Sequence, residues 1–328
     1  MKIILLVAAS TAAIAFASAA WADSNTVYLY QSGSDQNATV DQGGGGGNAI
    51  SAYQYGGNVA LDFLQDGASN KIGTTSSGVQ NGDDLWATIQ QHGANGDVEY
   101  SQYGTTNGLQ VVQSSNWDIA TINQNGTFLT AYDNQYGGDG NIASFSQTGT
   151  MNIIGQTGAQ FGSGGQITAS QTGSNEALNF SQGGINNIIN SSQWGVGASG
   201  TALIEQNLNT VGGSNYVSNS QGANTYLYAS QDGSSNNLYN VQNNGAYAEL
   251  SQNGVGNYLT GNQSGDNSAQ NQAHVYQGVS WQAANYNTAT YSQSGGGGNV
   301  VNITQTSSSN SANVTQNGAG NSASITQH

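Results

Sequence analysis

Few side chains in this sequence could do chemistry, and none of them are grouped. Its 328 residues include three histidines, 17 acids, two bases and no cysteine. Without cysteine there is no thiolate nucleophile, no disulfide framework and no sulfur-bound metal. His92, His274 and His328 lack the i,i+4 spacing of a helical metal pair, and no carboxylate pattern accompanies them. His92 is expected in a turn and His274 on an outward strand position. Asp83-Asp84 is the one adjacent acid pair, whereas glycoside hydrolysis needs two carboxyls held across one bond. The run Gly137-Gly138-Asp139-Gly140-Asn141 matches half of a calcium-binding nonapeptide, but once and not in tandem. Gly43 to Gly47 lacks the lysine and the helix of a phosphate loop. The sequence therefore predicts no catalytic residue, no metal ligand and no cofactor.

Charge and hydropathy narrow the class further. The formal net charge is −15, which repels a phosphate backbone and argues against nucleic-acid binding. Residues 1–22 read as a secretory signal peptide. Lys2 gives the charged start, Ile3 to Phe16 the apolar stretch, and Ala20-Trp21-Ala22 the small-residue cleavage site, with Ala17-Ser18-Ala19 as second choice. No later stretch approaches the length of an apolar membrane span, so no membrane insertion is expected. Residues 23–328 are expected to form one exported domain.

Glutamine reveals what that domain is built from. The chain holds 48 Gly, 42 Asn and 34 Gln and no Pro. Strand-like runs ending on Gln recur 26 times, mostly 11 or 12 residues apart, from Gln31 to Gln327. In this register Ser76 and Gly158 fill the place of Gln twice, and Gln90 closes the unit between Ser76 and Gln102. Four residues before the closing position every unit is apolar, as at Val27, Ile50, Leu61, Leu178, Leu227 and Val301. Two residues before it most are apolar, including Ile303, Val314 and Ile325; six before it Asn dominates. A period of two means a β-strand with Asn, two apolar residues and Gln on one face. Gly commonly falls two residues after the Gln, where a turn requires it. The register places Asp133 on the inward face and Gln156 inside an irregular unit, and long linkers precede Gln221, Gln277 and Gln293.

One such strand cannot fold alone. Its two apolar side chains contribute roughly 2–6 kcal/mol on burial, while ordering seven residues costs roughly 7–14 kcal/mol. Stacked copies share faces, so an all-β solenoid of strand–turn–strand repeats, about 26 strands in about 13 rungs, is the expected fold. In register, Gln lies on Gln and Asn on Asn, and their amides can bond along the stack at about 4.8 Å.

The units Asn299-Val-Val-Asn-Ile-Thr-Gln305, Asn310-Ser-Ala-Asn-Val-Thr-Gln316 and Asn321-Ser-Ala-Ser-Ile-Thr-Gln327 resemble the curlin repeat of curli functional-amyloid subunits. Asn25 to Gln31 and Asn48 to Gln54 carry the same ends. The resemblance implies a secreted, cell-surface fibre subunit of a bacterial biofilm matrix that polymerises end to end and mediates adhesion and cell aggregation. Its partners would be other copies of itself, a curli-type nucleator and an outer-membrane secretion channel. The segment usually read by that channel is missing before Asn25. The other reading of these residues is a monomeric β-solenoid adhesin, or an ice- or carbohydrate-binding protein. Outward Tyr28, Tyr30, Tyr53, Tyr132, Tyr228, Tyr239 and Tyr276 read first as β-favouring surface residues, and second as lateral fibre contacts or sites of dye and sugar adhesion.

Overall fold

In the computed structural model, residues 2–7, 12–18, 24–76, 78–155, 160–195, 200–207, 212–265, 269–278 and 283–328 are described. From Thr26 to Gln327 the chain forms 27 strands and, among the described residues, no helix. It divides into two compact units, 1–164 and 165–328. Each unit is a two-sheet parallel β-solenoid: successive strands alternate between the sheets, so a strand pairs with the next but one. Thr26–Ser34 pairs with Ala49–Gly57 in the first sheet, and Gln36–Gly44 with Ala60–Gly67 in the second. Lys2–Val7 and Ala12–Ser18 run parallel beside Thr26–Ser34 and Gln36–Gly44. The expected cleavage point after Ala22 lies outside the described residues.

Alternation of side chains does what the period of two predicts. Strand after strand is buried at every second residue, as in Tyr226–Ser234 and Thr201–Gln206. The inward columns hold Val27, Ile50, Leu61, Leu178, Leu227, Val301 and Ile303, each 2% exposed or less. Size is matched along a column as well as across it. Tyr100 is wholly buried because its neighbour in the next turn is Gly78, where a Cβ would lie 2.2 Å from the Tyr100 ring. Gly261 makes the same room for buried Tyr291.

Three repeats differ from the sequence register. The strand expected to end at Ser76 is split into Lys71–Ile72 and Gly78–Asp83, and both pieces pair with Asp97–Thr105. Ile72 keeps its inward place, a loop bulges outward, and Gln80 closes the unit instead of Ser76. Glu99 holds that loop by accepting bonds from the Thr75 and Ser76 amides at 2.8 and 3.1 Å. The next unit closes on Gln91, not Gln90. Trp86, expected inside, is 37% exposed, and Ala87 and Ile89 fill the core. Gly158 and Gln156 lie outside the described residues. The residue that pairs with Gln135 there is Gln160.

Candidate assembly surfaces: the ladders and the open edge

With those corrections, every repeat closes on glutamine. In unit 1 the first sheet stacks Gln31, Gln54, Gln80, Gln102, Gln124 and Gln147, in register with one another. Each amide Nε2 donates to the Oε1 of the next, for example Gln102 to Gln124 at 2.7 Å and Gln124 to Gln147 at 2.9 Å. The second sheet repeats this from Gln42 through Gln65, Gln91 and Gln113 to Gln135, at 2.7–2.9 Å. Unit 2 does the same through Gln263, Gln293 and Gln316, and through Gln277, Gln305 and Gln327.

Most of these glutamines also do something the strand pattern did not disclose. The second Nε2 hydrogen crosses to the other sheet and binds a carbonyl at the start of the preceding strand. Gln124 donates to Gly108 O at 3.0 Å and Gln305 to Thr288 O at 3.1 Å. One side chain thus joins neighbouring turns and closes one edge of the core. The recurring offset of about 16 residues between donor and acceptor was the available clue.

The asparagine column works differently from the expected amide-on-amide ladder. Asn25 Oδ1 accepts the backbone N–H of Asn48, whose own Oδ1 accepts that of Asn70. The Asn48 Nδ2 donates to Gly67 O in the turn. Asn299 likewise accepts from the Asn321 N–H and donates to Gly318 O. The residue just before the column has a positive φ, as at Ser24, Ser69 and Ser235. The asparagine satisfies the turn groups left over. At the opposite corner, the glycine two residues after Gln is obligatory: a Cβ on Gly104, at φ +114°, would meet Gly126 O at 1.9 Å.

Polar residues also enter the core. In unit 2, Tyr291 Oη donates across Gly261 to Asn240 Oδ1 at 3.2 Å, Asn240 donates to Asn219, and Asn219 to Ser191, both at 3.0 Å. Asp118 and Glu176 replace asparagine in their columns. Burial raises the Asp118 carboxyl, opposed by hydrogen bonds from Ser115 and Asn141. Burial pushes Glu176 up to about 7, opposed by the Gly200 N–H. Asp133, as the register predicted, points inward and is fully buried.

Among the described residues, the last strand, Ser322–Gln327, is paired only with Val300–Gln305. Its inward residues Ala323, Ile325 and Gln327 are half-buried, whereas Val301, Ile303 and Gln305 one turn earlier are fully buried. Val314 and Gln316, at 7% and 6%, begin the same loosening in the other sheet. This edge therefore offers unpaired backbone, an incomplete apolar pair and one open end of a Gln ladder.

The outward face carries aromatic stacks. Tyr226 and Tyr247 stack at 5.0 Å with nearly parallel rings, Tyr228 donates to Glu205 at 2.9 Å, and His274 lies 3.3 Å from Glu249. His92 is exposed in a turn. Among the described residues, no three His, Asp or Glu side chains cluster as a metal site would require. No helix among them is long and apolar enough to cross a membrane. The chain matches no known protein family and no curated protein.

Proposed function

We propose that this protein is a secreted structural subunit whose copies stack end to end into extracellular, curli-like amyloid fibres of a biofilm matrix. The observation that carries the reading is the in-register Gln ladder together with the half-covered strand Ser322–Gln327. A rung that ends in Gln, with an apolar pair beside it, is complementary to another rung of the same kind. Sheet edges of this type recruit strands unless charge, proline or a covering segment blocks them. Ser322–Gln327 carries neither charge nor proline. At the other end, loss of residues 1–22 would bare Thr26–Ser34 and Gln36–Gly44, which carry Gln31 and Gln42. Docking two such edges pairs the backbone, completes the apolar column and extends the ladders.

In this proposal the outward acids, such as Asp62 and Glu205, keep the free chain soluble and disfavour pairing of flat faces. A nucleator and an outer-membrane channel would be its partners by resemblance to curli systems. The test is assembly kinetics of the mature chain. Growth after a lag that preformed fibres shorten supports the proposal. A chain that stays monomeric and β-rich for days, even when seeded, makes it a solitary β-solenoid adhesin.

A further inference from the structure

Among the described residues, Asp133 is the one inward carboxyl placed among apolar neighbours with nothing to bind. Both its oxygens are buried and make no hydrogen bond. It lies in Thr130–Gln135, where Val111 of Gly108–Gln113 is its register partner. The corresponding inward residues of the facing sheet are Ile122 and Phe145, both buried. Gly108–Gln113, Ile119–Thr127, Ile142–Thr150 and Ile153–Gly155 carry no titratable side chain. Asp118, just before Ile119–Thr127, is the one charged group that acts on Asp133, and it repels a second negative charge. On its own strand Tyr132 points outward, and Tyr136 and Asp139 in the next turn are exposed.

We infer that Asp133 is a proton lock: unit 1 closes around this position only when the carboxyl carries a proton, so mild acid favours folding there. The physical reason is that an isolated carboxylate in an apolar interior takes up a proton instead of staying charged. In the unfolded chain an aspartate ionises near pH 4. Folding above that pH therefore consumes one proton, and stability is lost as pH rises toward the folded group's value. Stability is regained as pH falls back, and is complete below about 4. Burial does raise this carboxyl well above its ordinary range. Asp118 and Glu176 add the same sign more weakly, because each is hydrogen-bonded. The consequence for the fibre rests on the function proposed above: rung closure at Asp133 would precede stacking, so acid would shorten the lag.

The test uses the mature chain, kept dilute enough to remain monomeric, and compares the pH dependence of its unfolding equilibrium with that of three variants. Asp133→Val, matching its partner Val111, and Asp133→Asn remove the titrating group. Asp62→Asn removes an equal charge from an exposed outward position. The expected result is a wild-type equilibrium that weakens above about pH 5 by about tenfold per pH unit from Asp133, with a smaller addition from Asp118 and Glu176. Asp62→Asn keeps that slope, and both Asp133 variants lose one proton from it. Hydrogen exchange at residues 131–135 should show the same difference locally, and serves if one variant folds poorly. Equal slopes in wild type and Asp133→Val overturn the inference. A slope that depends on Asp133 in a chain that never forms fibres leaves the lock standing and refutes the fibre proposal alone.

Discussion

Replacing Gln124 by alanine should cost far more than the loss of one surface amide. Gln124 is 1% exposed. It accepts from Gln102 at 2.7 Å, donates to Gln147 at 2.9 Å and donates across the core to Gly108 O at 3.0 Å. Each buried bond contributes about 1 kcal/mol net, and a stranded buried acceptor costs about 1–3 kcal/mol more. Gln102 Nε2 retains Trp86 O, whereas Gln147 Oε1 loses its donor. The sum is about 4–6 kcal/mol. Gln110 provides the control, since it is an outward residue of a neighbouring strand, and its change to alanine should stay within about 0.5 kcal/mol. Urea unfolding followed by circular dichroism reads both. With a slope of about 3 kcal/mol/M, Gln124→Ala should lower the midpoint by about 1 M or more at unchanged slope. A double-mutant cycle with Gln102→Ala should give a coupling of about 1 kcal/mol. Equal midpoints for Gln124→Ala and Gln110→Ala would refute the claim that the ladder holds turns together.

Other outcomes follow from the same geometry. Leu227→Asp buries an unpaired charge at a wholly buried site and should cost about 3–5 kcal/mol and block assembly. The adjacent outward Tyr228→Asp should be far milder in the same denaturation and fibre assays. Gly104→Ala forces a side chain against Gly126 O and should lower stability by about 2 kcal/mol or more, read as a fall in melting temperature. Tyr291→Phe leaves Asn240 Oδ1 without its donor and should cost about 1–2 kcal/mol, with faster hydrogen exchange in Asn237–Asn243. Deleting residues 299–328 should lengthen the assembly lag, because the newly exposed units, around Gln277 and Gln293, have irregular linkers.

Most of the fold was legible because one physical requirement repeats. A parallel stack puts the same position of every rung on one line, so Gln recurs where an amide can bond its own copy. The register failed where that logic was ambiguous. Gln90-Gln91 offers two closing residues, and the apolar alternatives Trp86 and Ala87 fit either choice. Only the need to bury a column continuous with Leu61 and Leu109 selects Gln91. The loop between Ile72 and Gly78 was hidden for a similar reason: an even spacing of units supplied Ser76 as an end, while the true Gln80 followed a bulge. The inter-sheet bonds of Gln and the backbone bonds of Asn depend on how two strands face each other. A single strand's alternation does not contain that information. The pairing of Tyr100 with Gly78 and of Tyr291 with Gly261 likewise appears only when rungs are aligned, since the partners are 22 and 30 residues apart.

The central claim is that identical rungs on different copies can stack as rungs within one copy do. X-ray fibre diffraction of the assembled mature chain, with electron micrographs of the same sample, tests it most directly. The account predicts unbranched fibres with a sharp meridional spacing of about 4.7–4.8 Å, formed faster when seeded. A sample that yields only dispersed monomers, or fibres whose strands do not lie perpendicular to the axis, would contradict it.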